Sequence, residues 1–233
     1  MSDKKPNLLL LHGALGSADA FKGLSNLLGE KFNVHALTFS GYGNQPPKGS
    51  GFSIQQFTND VLIYLENNQI EKTHIFGYSM GGYVALNLST QMPERIGKIF
   101  TLGTKFQWTL DYAMRETKRL DPEKIREKVP DFAAELRNRH TAFGWENVLA
   151  QTAQMMKGLG NKNILTEEAL KTIPGPACIG LGDRDNTVEI EEAAGVYRLL
   201  QSGSLMIFPS TPHPLERVNK GLLTQALTSY LGK

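Results

Sequence analysis

A serine, two aspartates and a histidine stand where apolar runs end, and together they could move an acyl group. Ser79 lies in Gly77-Tyr78-Ser79-Met80-Gly81-Gly82. Ahead of it, Thr73-His74-Ile75-Phe76 reads as a short buried strand. Behind it, Tyr83-Val84-Ala85-Leu86-Asn87-Leu88 reads as a helix with an apolar face. A serine at such a corner, with glycine two residues to each side, is held on a sharp, strained turn. Gly77 and Gly81 omit side chains that would collide with the neighbouring strand and helix. The hydroxyl then projects above the sheet at the positive end of a helix. The chemistry this implies is attack on a carbonyl. It needs a base within reach of the hydroxyl, an acid to set the base's tautomer, and N–H donors aimed at the oxyanion.

His213 is the candidate base. It lies in Ser210-Thr211-Pro212-His213-Pro214-Leu215, after an apolar run and before the last helical pattern. The flanking prolines restrict the backbone on both sides, and Pro214 suits the first turn of a following helix. A loop histidine taken alone is most simply solvent-exposed; its place relative to Ser79 raises its standing. The acid comes from Gly182-Asp183-Arg184-Asp185-Asn186. Asp185 is favoured, because Gly182 and the next two residues leave room for the turn that reaches a histidine. Asp183 is left to pair with Arg184 or cap a helix, and the plainer alternative is that both aspartates solvate a loop. The oxyanion donors would be the backbone amides of Met80, in a helix's first turn where N–H groups lack partners, and of Ala14, in Leu11-His12-Gly13-Ala14-Leu15. The chemistry calls for no cofactor and no metal.

The elements that must position these residues follow a strand–helix rhythm. Strands are predicted at Asn7–Leu11, Asn33–Phe39, Thr73–Phe76 and Ile96–Leu102, with helices over Ser17–Leu28, from Ser53 to about Asn67, and up to Gln91. Ser53 reads as an N-cap with Gln56 as its capping-box partner. From Thr104 to about Thr172 the pattern turns helical and charged, with candidate helices at 109–120, 122–129, 131–140, 145–156 and 167–171. This reads as a helical cap over the C-terminal edge of the sheet. Ala177–Leu181 and Ser204–Phe208 complete six strands, with helices at Val188–Leu200 and Leu215–Leu231. The expected fold is α/β: a mostly parallel sheet of about six strands flanked by helices, one domain over 1–233 with a cap insertion at about 104–172. Candidate residues fall at the strand ends, where open parallel sheets place their sites.

Taken together, His12-Gly13-Ala14, Ser40-Gly41-Tyr42-Gly43-Asn44, the Ser79 elbow, Gly182-Asp183-Arg184-Asp185 and His213 make the chain resemble the α/β-hydrolase superfamily over nearly its whole length. The resemblance implies Ser79 as nucleophile, His213 as base, Asp185 as orienting acid, and the amides of Ala14 and Met80 as oxyanion hole. The chain departs from the family at the loop before Gly41, where Thr38 and Ser40 replace the usual aspartate and proline. It implies a hydrolase of small to medium carboxylic esters or related acyl compounds. Lyases, C–C bond hydrolases and a menaquinone-pathway synthase share the fold, but Tyr83 stands where that synthase would carry a substrate-binding arginine. Relatives acting on halides and epoxides use aspartate at the position of Ser79. A ligand-binding receptor of low turnover keeps the same geometry.

Composition bounds the partners. The 233 residues are 40% hydrophobic with a net charge of +2, enough for a sizeable core and too little charge to imply nucleic acid. The single cysteine, Cys178, lies in a strand pattern and reads as a small core residue of a reducing, cytoplasmic protein. Lys4 and Lys5 precede a leucine run too short for a secretory signal, and no segment reaches a membrane span. The expected partner is a small-molecule acyl substrate. His12 is expected to support structure. His35, His74 and His140 share no metal-ligand spacing. The charges from Arg115 to Arg139 read as solvated helix faces. Phe106, Trp108, Tyr112, Met114, Phe143, Trp145, Met155 and Met156 read as packing, with some of them lining an apolar pocket.

Overall fold

A computed structural model describes residues 5–232; Lys4 lies outside them. Six strands alternate with helices: β1 (Asn7–Leu11), α1 (Lys22–Leu28), β2 (Asn33–Leu37), α2 (Ile54–Asn67), β3 (Thr73–Tyr78), α3 (Met80–Gln91) and β4 (Ile96–Leu102) come first. Then follow α4 (Leu110–Thr117), α5 (Pro122–Lys128), α6 (Pro130–Arg139), α7 (Trp145–Asn161) and α8 (Glu167–Lys171). The chain closes with β5 (Ala177–Arg184), α9 (Ile190–Leu199), β6 (Gly203–Pro212) and α10 (Lys220–Leu231). All strand pairs are parallel, in the order β2-β1-β3-β4-β5-β6.

The apolar strand runs exist because both faces of the sheet are covered. Alternate residues of β1 feed opposite cores. Leu9 and Leu11 join Ile75, Ile99, Ile179 and residues of α2, α3 and α9. Leu8 and Leu10 join Phe76, Phe100, Phe208 and residues of α1 and α10. Cys178 is buried in this second core, and burial pushes its thiol up to about 12, which keeps it unreactive. Among the described residues no helix is long and apolar enough to cross a membrane.

Several expected elements end elsewhere, each for a local reason. The first helix opens as a 3₁₀ turn over Ala18–Phe21 before α1. β2 stops at Leu37 because the Phe39 amide donates to His12 Nε2 (3.2 Å) and Thr38 Oγ1 caps the Ala18 amide (2.9 Å). Ser53 caps α2 by accepting from the Gln56 amide (3.1 Å), but the Gln56 side chain donates to Asp60 Oδ1 (3.3 Å), so no reciprocal capping box forms. The closing helix is two pieces. Leu215–Arg217 is a 3₁₀ turn, and Asn219 starts α10 afresh by accepting from the Leu222 amide (3.0 Å). Asp60 supplies what the missing aspartate and proline would have given the loop before Gly41. It is buried and accepts from the Ser40 amide (2.8 Å) and hydroxyl (2.6 Å).

Candidate active site

The elbow is built from backbone. Ser79 follows β3 with φ 50° and ψ −116°, a left-handed conformation that costs a non-glycine residue on the order of 1–3 kcal/mol. Four hydrogen bonds hold it there, one of them a longer bond from the Tyr83 amide to the Ser79 carbonyl (3.4 Å). Its amide donates to the Leu102 carbonyl at the end of β4 (2.8 Å); its carbonyl accepts from the Gly82 amide (3.0 Å) and from Thr104 Oγ1 (2.9 Å). A Cβ on Gly77 would lie 2.4 Å from Gly82, and one on Gly81 would lie 2.1 Å from the Leu11 carbonyl oxygen. Both glycines are therefore required by close backbone approach.

His213 sits just past β6, whose ladder with β5 runs on to Arg184↔Pro212. Its Nδ1 lies 2.7 Å from Asp185 Oδ2, so Nδ1–H donates to the carboxylate. The other carboxylate oxygen, Oδ1, accepts from the amides of Thr187 (2.8 Å) and Val188 (3.0 Å), which fixes the rotamer. Asp183 plays a different part. Its Oδ1 accepts from the Thr211 amide (3.1 Å) and ties the end of β5 to the segment carrying His213. Tyr78, beside the serine, donates its hydroxyl to the His213 carbonyl (3.0 Å). Pro214 precedes a 3₁₀ turn rather than entering an α-helix.

Ser79, Met80, Ala14 and His213 line one cavity of about 240 Å³, with Asp185 buried behind the histidine. Ser79, Met80, Ala14, Asp185 and His213 are thus brought together at the carboxyl ends of the strands. The remaining walls come from α4, α7 and the strap that leads into α4, with Ile54 of α2, Tyr78 of β3, Tyr83 of α3 and Thr187 of the acid loop. Trp108, Tyr112, Met155 and Met156 line the cavity. Phe106 and Trp145 are buried in cores, and Met114 faces solvent. Three participants were not legible in the sequence. Glu116 turns from the surface of α4 into the cavity, where it was expected to be a solvated charge. Lys105 lines the same wall and pairs with buried Glu192 of α9. The only sequence signal for this pair is a charge three residues past a strand end.

Two neutral histidines support the loops of the site. His12 is buried, donates Nδ1–H to the Gly13 carbonyl (2.7 Å) and accepts from the Phe39 amide at Nε2. His140, at the end of α6, accepts from the Gly43 amide (2.9 Å) and donates to the Leu15 carbonyl (3.0 Å). Burial pushes both imidazoles down to about 4. Each already uses its second nitrogen as an acceptor, so a proton there would face an N–H donor. With folded values below the unfolded 6.5, the unfolded chain binds more protons between pH 6.5 and 4, and stability falls as pH drops through that window. Urea unfolding at pH 5 should show a stability lower than at pH 7 by about 2 kcal/mol per histidine. A flat stability curve, or NMR titration of these imidazoles near pH 6.5, would contradict this. Among the described residues no cluster of His, Cys, Asp or Glu could hold a metal ion.

A parallel sheet with a serine elbow after its third strand and a histidine–aspartate pair at the far end of β5 and β6 defines a class by geometry alone. A family model described as "alpha/beta hydrolase fold" matches residues 6–182, and the chain belongs to that family. Among curated relatives, a pimeloyl-[acyl-carrier protein] methyl ester esterase of Aeromonas salmonicida is 31% identical over 100 residues, which is 42% of this chain and 38% of that esterase's length. Among solved structures, a putative lipase of Acinetobacter baumannii superimposes with a TM-score of 0.80 at 22% identity, covering 99% of this chain and 84% of the other. An esterase of Thermogutta terrifontis gives 0.78 at 19% identity, covering 98% and 90%. At these identities the two structures speak to the fold alone.

Proposed function

We propose that the protein is a serine hydrolase of small to medium carboxylic esters or related acyl compounds, working through an acyl-enzyme on Ser79. The observation that carries this is the 2.7 Å Nδ1···Oδ2 bond between His213 and Asp185 at a cavity also lined by the strained serine. With Nδ1 donating to Asp185, the lone pair of His213 lies on Nε2. That nitrogen takes the Ser79 proton as the oxygen attacks the substrate carbonyl. The amides of Ala14 and Met80 receive the oxyanion, each worth about 3–4 kcal/mol in the transition state. The histidine then protonates the leaving alcohol. Water, deprotonated by the same nitrogen, releases the acid and restores the serine.

In this reading residues 104–172 form a cap that belongs to a single domain over 1–233. Its apolar side chains Met155, Met156, Leu159 and Trp108 would receive the aliphatic part of the substrate. Esterase activity in the curated relative of Aeromonas salmonicida supports the reaction class, although the match covers 38% of that protein. The test is covalent labelling by a fluorophosphonate probe together with turnover of chromogenic esters of increasing acyl length. Labelling at Ser79 with ester turnover is the expected result. A protein that neither labels nor hydrolyses any member of the series is not a serine hydrolase.

A further inference from the structure

Lys105 follows the end of β4 by three residues and lines the same cavity as Ser79. Its side chain is largely buried and pairs with Glu192, which is itself buried on α9. Glu192 does not belong to the lysine alone. Its Oε1 accepts from the amides of Phe106 (2.6 Å) and Gln107 (2.8 Å), so the carboxylate is shared among three donors. An ammonium carries three N–H groups. Glu192 engages one, and the face of Tyr112 lies 4.4 Å from Nζ, an attraction that takes up no strong acceptor. Glu116, the other charged residue lining the cavity, is drawn toward Arg119 (3.3 Å) and Arg115 (4.0 Å). Arg115 and Arg119 face solvent, with side chains 68% and 62% exposed, and hold the Glu116 carboxylate from outside the cavity. Lys105 therefore keeps N–H groups without a strong acceptor beside the cavity. The rest of the chamber offers sulfur, aliphatic and aromatic surface from Met155, Met156, Leu159 and Trp108.

We propose that Lys105 forms an anion subsite in this cavity, and that the acyl substrate carries a carboxylate at the end away from the reacting carbonyl. The substrate class is the monoester of a short dicarboxylic acid. The inference rests on the serine-hydrolase reading and narrows it. The aliphatic chain lies along the methionine and leucine surface while its carboxylate meets the ammonium. Glu192 and Tyr112 hold Lys105 in place before the ligand arrives, so little ordering remains to oppose binding. The ammonium is also already withdrawn from bulk water, which strengthens its attraction for an anion.

The test compares para-nitrophenyl monoadipate with para-nitrophenyl hexanoate, two esters of equal acyl length that differ in the terminal carboxylate. The wild type should prefer the monoadipate. In Lys105→Met the ratio of kcat/KM for the two esters should fall by about 10- to 100-fold, mostly through KM, and Lys105→Arg should restore the preference. Binding is read separately in Ser79→Ala protein, using monomethyl adipate and methyl hexanoate in calorimetric titration. There the discrimination should again depend on Lys105. An unchanged ratio in Lys105→Met overturns the subsite. So does an equal loss for both esters with a lowered melting temperature, which would make Lys105 only a tie between the strap after β4 and α9. Failure of the hydrolase reading is a different result: wild-type protein that is unlabelled by fluorophosphonate.

Discussion

Ser79→Ala is expected to lower ester turnover by about 10⁴- to 10⁶-fold while leaving the fold in place. In the proposed mechanism the loss follows from removing the hydroxyl that His213 would activate. Retention of the fold follows from the bonds that shape the elbow. They run from the Ser79 amide to Leu102 and from Gly82, Tyr83 and Thr104 to the Ser79 carbonyl, and none of them uses the hydroxyl. Alanine at φ 50° carries the same backbone strain as serine, so the unfolding free energy should change by less than about 0.5 kcal/mol. Ser79→Gly separates strain from chemistry. It should be equally inactive, yet more stable than wild type by about 1 kcal/mol, because glycine tolerates this conformation. Turnover by Ser79→Ala within tenfold of wild type, on protein checked by mass spectrometry, would remove the serine from the mechanism.

The gap between what the residues foretell and what the fold builds lies at particular places. β1, β4 and α8 end where read, since each is bounded by turn residues or a proline within its own sequence. β5 and β6 run further than their apolar stretches. The pairs Gly182↔Phe208 and Arg184↔Pro212 continue the ladder through glycine, charge and proline, which read locally as loop. That hidden extension matters, because it carries Asp185 and His213 to the same height above the sheet. Their pairing needs a geometry that no spacing of residues 28 positions apart expresses. Asp60 was invisible for a related reason. On its own helix it is one polar position, and only the returning loop makes it the anchor of Ser40. Glu116 and Lys105 are the strongest case. A charge on an amphipathic helix or after a strand reads as solvated, and only docking of α4 against the acid loop turns it inward. One bond of that docking is the Tyr112 hydroxyl donating to the Thr187 carbonyl (2.9 Å).

Asp185→Asn tests the tautomer directly, because the surroundings decide which way the amide points. Oδ1 of Asp185 accepts two backbone N–H bonds, from Thr187 and Val188. In the asparagine variant the carbonyl oxygen must stay on those donors, since an NH₂ group there would face two N–H groups. The NH₂ group is thereby aimed at His213 Nδ1, in the place now held by Oδ2. A donor at that position forces Nδ1 to accept, which moves the imidazole proton to Nε2. A histidine carrying its proton on Nε2 has no lone pair for the serine. Turnover should therefore fall on the order of 10⁴-fold with the acid loop intact, as an aspartate-to-asparagine change does in a serine triad. Asp185→Ala should be as inactive but also less stable, because it strands the Thr187 and Val188 amides, at about 1–3 kcal/mol. The pair of variants separates tautomer from scaffold. Loss of turnover in both with loss of stability in alanine alone is the expected pattern. Asparagine activity within tenfold of wild type would mean that Asp185 shapes a loop and does not orient His213.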